Sequence, residues 1–401
     1  MNGRANTLLD YTKEQLASIV FKIYHRTAPQ YFTRKSPLSF ENTTLMILNL
    51  IKKSIKAELM DYFYQLDKDL NIPSRQAFSQ AREKISYLAF KDFFDKSCEL
   101  ALDDADARLF KGYRLFAVDG TSFAVGDIKR LGNHFGKSTS IAGNAMCRIS
   151  GVVDVLEKCL VNARVSPFST GERTLAISQI NEMESVSNAL YLFDRGYWSP
   201  ELVETVIGNG QKFLMRISKG NEKAALKKTL RHFSFTLPNG NEEILVTNLS
   251  DDEITDDELA VLYAKRWGVE TKYLELKARL QIDKFSGESA NIVLQDIYST
   301  MYISNLVAFT CSEADKLIRE KTDNKGNKYV QKANRTTCIS VFRKRFVDLC
   351  FMDDPLLQSM ALDKLYNDIS KHVSYTGKSE PRPRDKRQIK NSRLHYSKPV
   401  L

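Results

Sequence analysis

Scarcity narrows the chemistry of this chain first. Its 401 residues hold only six cysteines (Cys98, Cys147, Cys159, Cys311, Cys338, Cys350), none of them in a C-x-x-C pair. The five histidines (His25, His134, His232, His372, His395) stand apart from one another as well. A zinc site needs clustered soft ligands, and a disulfide framework needs a denser pattern in a secreted chain. Free thiols in a reducing compartment are therefore expected. Any catalytic metal must then rest on carboxylates, which favours a hard cation such as magnesium or manganese. With 18 Gly and 10 Pro, the chain is neither a low-complexity nor a collagen-like polymer. No apolar run approaches the roughly 20 residues of a membrane span; stretches such as Ala189–Phe193 have the length of buried strands. The opening residues, MNGRANTLLDYTKEQ, mix in charge and lack the apolar core of a signal peptide. A soluble, cytoplasmic protein without membrane contact is expected.

Positive charge, by contrast, is in excess. There are 59 Lys+Arg against 49 Asp+Glu, a net +10, and it is unevenly spread. From Lys378 onward, KSEPRPRDKRQIKNSRLHYSKPVL carries eight basic residues against two acidic ones, so +6 of the +10 lies on the tail. So few apolar residues cannot offset the entropy of ordering, and residues 377–401 read as a disordered basic tail. It suits a phosphate-binding arm, and equally a solvated tail that aids solubility. The remaining length, at 43% hydrophobic residues, is enough for two or three cores.

The first hundred residues read as helical. Phe40 to Leu66 carries apolar residues at helical spacing, from Leu45 and Leu48 through Ile51 and Ile55 to Tyr62 and Phe63. After a turn at Asn71-Ile72-Pro73, Ser74 offers an N-cap ahead of RQAFSQAREKI. A short helix with Arg75, Gln76, Ser79 and Arg82 on its polar side could form a helix-turn-helix-like DNA reader. The same features suit ordinary helical packing with a solvated face. Beyond Lys111 the texture turns to strands: Tyr113–Val118, Cys147–Val155, Leu160–Val165, Ala189–Phe193 and Lys212–Ile217, with helices at Arg173–Glu184 and Pro200–Ile207. Phe233–Leu237 and Glu243–Leu249 flank Pro238-Asn239-Gly240, a hairpin signal. One long helix is predicted from about Asp256 to Leu280, and residues from about Ser289 to Tyr375 return to helix, with a charged loop near Lys321–Lys328. The order predicts a mixed α/β sheet with helices packed on it.

Three carboxylates fall at element ends. Asp119 follows the first strand in AVDGTS, and Asp194 follows the strand Ala189–Phe193 in LFDRGYW. Carboxylates at strand ends sit at a sheet's rim, where parallel sheets generally place their chemistry; both sequences would also serve as simple turns. The long helix is more specific. Tyr263, Arg266, Glu270 and Lys277 stand at i, i+3, i+7 and i+14, within roughly 60° of arc at about 100° per residue. Leu262, Val269, Leu276 and Leu280 form the adjoining core-facing stripe. Thr255 and Glu258 have capping-box spacing and explain where the helix starts. An Arg266–Glu270 surface ion pair would account for part of the stripe without any chemistry.

Asp119 in DGTS, Asp194 in DRGYW and the Y-x2-R-x3-E-x6-K spacing together resemble the DDE transposases of bacterial insertion sequences, specifically the insertion-sequence-four family. PSRQAFSQAREKIS, FLMRIS and LVTNLS are similar to that family too, so the resemblance spans roughly Ser36 to Leu306. It implies a ribonuclease-H-like mixed-sheet catalytic core whose triad is Asp119, Asp194 and Glu270. These residues would hold two divalent cations, Mg2+ or Mn2+, that cut double-stranded DNA at the element's ends and join the 3′ hydroxyls to target DNA. Tyr263, Arg266 and Lys277 carry over as contacts to phosphate and end DNA. Trp267 and Trp198 could stack on an unpaired base, and Arg75 and Arg82 are the candidate N-terminal DNA contacts. The expected organisation is a helical DNA-end-binding region (1–108), the catalytic core (109–288, with a β insertion at about 220–250), a helical region suited to subunit pairing (289–376) and the basic tail (377–401). A homodimer on DNA ends is implied. Two other classes stay open: a catalytically silent DNA-binding inhibitor or host-recruited derivative, and a ribonuclease-H-like nuclease that cuts without joining.

Overall fold

The structure is a computed structural model. It describes residues 3–50, 53–66, 71–126, 128–137, 144–226, 230–236, 240, 242–322 and 329–376. The basic tail, the Pro238-Asn239 pair of the hairpin turn and most of the charged loop (323–328) lie outside the described residues. Two compact units emerge: Met1–Phe93 with Ala278–Ser286 and Tyr298–Leu401, and Phe94–Lys277 with Gly287–Ile297. The first and last parts of the chain thus share a unit.

That first unit is built from helices, among them Arg4–Ala17, Phe40–Leu48, Ile55–Leu66, Arg75–Glu83, Arg335–Phe351 and Pro355–Ser370. The helical stretch read from Phe40 to Leu66 consists of two helices, the first of which ends at Leu48. Ser39, Ser74 and Asn334 cap their helices through side-chain oxygens, replacing amide partners that the first turn lacks. Polar side chains bind remote segments together: Thr12 meets the Tyr302 hydroxyl at 2.7 Å, and Lys13 donates to Gln358 at 2.9 Å.

The second unit is organised on a seven-stranded sheet: β1 (Arg114–Gly126), β2 (Ala145–Asp154), β3 (Cys159–Pro167), β4 (Ala189–Phe193), β5 (Lys212–Ile217), β6 (Arg231–Thr236) and β7 (Glu242–Thr247), in the order β3-β2-β1-β4-β5-β7-β6. β1, β2 and β3 form an antiparallel meander, whereas β4 and β5 run parallel to β1. This is the strand order and sense of a ribonuclease-H-like core, and the fold is of that class. The β6–β7 hairpin extends the same sheet, antiparallel, beyond β5. All five residues of β4 are buried, as expected for a central parallel strand covered on both faces. All six cysteines are buried. Among the described residues no helix is long and apolar enough to cross a membrane.

Two expected elements differ in ways that shape the site. β1 does not stop before Asp119; it continues to Gly126, paired to β2 from Phe116 onward with a register shift between Ala124 and Gly126, and with Asp119 opposite Gly151. Its parallel pairing with β4 does end early, at Ala117–Leu192. Two residues further along each chain come Asp119 and Asp194, so the ladder delivers both carboxylates to the point where β4 runs out. The long helix from Asp256 is also interrupted. It comprises Asp256–Ala264, Trp267–Leu274 and a π-turn at Glu275–Arg279. At the junction, amides bond three residues back, as in Arg266 N–H to the Tyr263 carbonyl (3.0 Å) and Val269 N–H to the Arg266 carbonyl (3.1 Å). Such tightening and widening of a helix is common beside functional sites.

Candidate active site

The helix is drawn onto the sheet by two glycines. A Cβ on Gly268 would lie 2.9 Å from Val155, and one on Gly151 would lie 2.9 Å from the Tyr273 hydroxyl. With hydrogen in both places, the Trp267–Leu274 helix sits close against the end of β2. Tyr273 then donates to the backbone carbonyl of Asp119 at 2.7 Å, tying helix to strand at the residue that matters. The predicted capping box is present, with Thr255 N–H donating to Glu258 at 3.0 Å.

Around this frame the polar stripe faces inward. Tyr263 and Arg266 are buried, as are Leu262, Val269, Leu276 and Leu280 beside them. Arg266 donates to Glu270 at 2.9 Å and acts electrostatically on both Asp119 and Asp194. Tyr263 points its hydroxyl at Asp194, 3.4 Å away, and Lys277 donates to Thr121 on β1. Asp119, Asp194, Glu270, Tyr263, Arg266 and Lys277 therefore form one connected neighbourhood. The Arg266–Glu270 pair is real, yet it is anchored at a guanidinium only 4% exposed, unlike a solvated surface pair.

The two aspartates are tuned in opposite directions. Burial pushes the Asp119 carboxyl up to about 6, with Glu172 and Glu270 adding repulsion against the Gly120 N–H and Arg266, which favour the anion. Burial works against the Asp194 anion too, but the Arg195 N–H (2.7 Å) and Arg216 (2.7 Å) outweigh it and hold that carboxyl below its ordinary value. Paired groups driven apart in this way are a recurring mark of acid–base sites.

Sequence reasoning missed three of the groups here. Arg216, within FLMRIS on β5, bonds Asp194 and grips Glu243 through two bonds of 2.8 and 3.0 Å. Its signal was a cation set among the apolar residues that follow Lys212 in the strand. Tyr273 continues the 3-4-3-4 spacing of Tyr263, Arg266 and Glu270. Glu172 opens the Glu172–Glu182 helix, and its carboxylate lies where a Cβ on Gly120 would stand 2.9 Å away. It also lies 3.6 Å from Arg148, and nothing in its local sequence announced it.

Other candidates are placed differently. Trp198 is 5% exposed and packed inward, whereas Trp267 is 48% exposed, with the Arg266 guanidinium 5.4 Å from its ring. Of the two, only Trp267 offers a face to a base. Arg75 is exposed at the start of its helix. Arg82, expected on the polar side of that helix, is 1% exposed; it donates to Ser286 and stacks over Phe78. Its role in this structure is internal, because the helix turns that side toward the 278–286 segment.

The donor set suits a hard divalent cation by chemistry, since it is oxygen only and its mutual repulsion is felt at Asp119. Among the described residues no three His, Cys, Asp or Glu side chains form a ready-made metal cluster; Arg216 and Arg266 carry the counter-charge instead.

The sheet thus gathers carboxylates from β1, from the end of β4 and from a helix packed on it. Residues 110–306 match the model of the transposase DDE domain, and over much of its length the chain is similar to transposases of insertion sequences. Two relatives come from Escherichia coli (strain K12). The putative transposase InsZ is 27% identical over 150 residues, 35% of this chain and 48% of that protein. The transposase InsG for insertion sequence element IS4 is 21% identical over 281 residues, 60% of this chain and 63% of that protein. The chain thus spans about half of one relative and under two thirds of the other. Among solved structures, a piggyBac transposase synaptic complex with hairpin DNA aligns over 90% of this chain and 81% of that chain, at 13% identity and a TM-score of 0.44.

Proposed function

We propose that this protein is a transposase of the insertion-sequence-four kind, cutting double-stranded DNA at the ends of its element and joining the freed 3′ hydroxyls to target DNA. The observation that carries the reading is the register of β1 and β4, which sets Asp119 beside Asp194, together with Arg266, which links that pair to Glu270. Asp119, Asp194 and Glu270 would hold divalent cations, Mg2+ or Mn2+. When bound, such ions activate the attacking oxygen and stabilise the leaving one. The remaining residues orient the DNA. The Nε of Arg266 is buried with no hydrogen-bond partner among the described residues, so a phosphate oxygen would satisfy it, and guanidinium–phosphate bonds are strong and directional. Lys277 supplies a second cation from the same helix, and Trp267 an exposed ring for an unpaired base. The helical region at 1–108 is assigned to end DNA and that at 289–376 to pairing of two subunits on it.

The test is a reaction of the full chain with Mg2+ and a duplex ending in the element's terminal repeat. Nicking followed by joining of a pre-cleaved end is the expected result. Tight binding without nicking would leave a silent DNA-binding derivative, and nicking without joining would leave a nuclease.

A further inference from the structure

Positive charge gathers in the helical unit around a cavity of about 320 Å³, whose walls include Lys53, Lys56, Arg75 and Lys284, with Ser54 and Phe285 between them. The four cations come from three separate stretches of chain. Lys53 is paired with Asp61 at 3.1 Å. Lys56, Arg75 and Lys284 are exposed, and no carboxylate lies within ion-pair distance of them among the described residues. Among the described residues no acidic side chain lines the cavity.

The backbone adds to this field. The Ile55–Leu66 helix begins at the cavity, with Ser54 accepting from Ala57 N–H at 3.3 Å; the Arg75–Glu83 helix begins there too, capped by Ser74 on Ala77 N–H at 3.1 Å. Helix starts carry partial positive charge and favour anions. The third wall is fixed by the side chain already found in an unexpected place. Arg82 reaches from the second of these helices to Ser286, and Ile282 is 1% exposed, so the segment bearing Lys284 is pinned beside Arg75. A buried arginine thereby positions a cation that the sequence places some 200 residues away from the others.

We propose that this cavity docks a backbone phosphate of duplex DNA, held by Lys56, Arg75 and Lys284. The proposal rests on the reading that the chain acts on DNA, but none of these residues belongs to the carboxylate site. Point charges with a single guanidinium, and no array of amide side chains, would read charge rather than base sequence. The contact should therefore strengthen binding to every duplex alike.

The experiment titrates the full chain against a duplex carrying the element's end and an unrelated duplex, across a range of salt concentrations. Lys56→Ala/Lys284→Ala should lower the salt slope by up to about 0.9, the value for one phosphate contact, and weaken both duplexes equally. Lys56→Arg/Lys284→Arg should restore binding, and equal melting temperatures would show that both variants fold. An unchanged slope overturns the proposal. A loss confined to the element's end overturns it as well, since that would be base readout. In a parallel arm, inorganic phosphate should compete with duplex for the wild type but not for the alanine variant. Protection of the wild type by phosphate, with duplex binding unaltered in the variant, would mean a free-anion site and reject the DNA assignment. Nicking by the carboxylate site is scored separately, so either reading can fail while the other stands.

Discussion

Two aspartates on neighbouring strands of one sheet show how this chain separates structure from chemistry. Asp154, at the end of β2, and Asp119, on β1, are both pushed up by burial. Asp154 is fully enclosed and accepts four bonds: Arg114 Nε (3.1 Å) and an Arg114 terminal nitrogen (2.7 Å), Leu156 N–H (3.0 Å) and Glu157 N–H (2.9 Å). Arg114 spends its other donors on the carbonyls of Ala101 and Leu102. Both Asp154 oxygens and all three Arg114 nitrogens are thus hydrogen-bonded, as a buried ion pair requires. Among the described residues Asp119 accepts only the Gly120 N–H, at 2.8 Å, and it faces carboxylates as well as arginine. The Asp154 carboxylate is closed off by its partners, whereas the Asp119 carboxylate has fewer partners among the described residues and a repulsive neighbourhood.

The largest expected effect breaks the reactive end without touching the closed one. Glu270→Gln should reduce nicking of end DNA by on the order of 1000-fold or more, since the divalent cations it would help to hold lose a ligand, while filter binding of the same DNA stays near wild type. Normal cleavage by this variant would remove Glu270 from the site. Next comes the closed end: Arg114→Met should destabilise the fold by about 3–5 kcal/mol by stranding Asp154, measured by chemical denaturation. A loss below about 1 kcal/mol would mean the pair is not structural.

Asp119→Asn sharpens the contrast through its sign. A carboxyl with a raised folded pKa binds its proton more tightly in the native state, so stability falls as pH rises from about 4 to about 6 and the cost persists above that. The variant should therefore be more stable than wild type at pH 7.5, by about 2–3 kcal/mol at most, with the gap closing below pH 4. Asp194 runs the opposite way: its lowered pKa contributes stability that is present above its ordinary value and lost as pH falls further. Thermal melts across pH would show the two slopes, and a destabilised Asp119→Asn at neutral pH would contradict the picture. The smallest effect concerns the tail. Removing residues after Gly377 should flatten the salt dependence of DNA affinity without changing the melting temperature; an unaltered slope would mean the tail makes no phosphate contacts.

Much of this was legible in the residues. Apolar runs located β4 and β5 to the residue, because strands covered on both faces are marked by composition. Asp119, Asp194 and the Tyr263–Lys277 stripe were legible too, because their spacing is local. The interruption of the helix was not, since the tightened turn at Arg266 answers to packing of Gly268 on Val155, a partner more than a hundred residues away. Arg82 was placed on the wrong side of its helix for the same kind of reason. Its amphipathic pattern is sound, but Ser286 arrives from a distant part of the chain and claims the guanidinium.

What the sequence carried by itself is a local pattern: few soft ligands, no apolar run as long as a membrane-spanning helix, and three carboxylates spaced among cations in a manner that resembles the insertion-sequence transposases. Periodicity and composition act over a few residues, and those signals survive without coordinates. Only the tertiary structure decided which charges are spent and which remain available. That Arg114 saturates Asp154, that Arg216 restrains Asp194, and that Lys284 joins Lys56 and Arg75 all depend on strand register and on contacts between remote segments. Electrostatic energies fall off over a few ångströms and depend on burial, so the same residues take their roles only once the chain has folded around them.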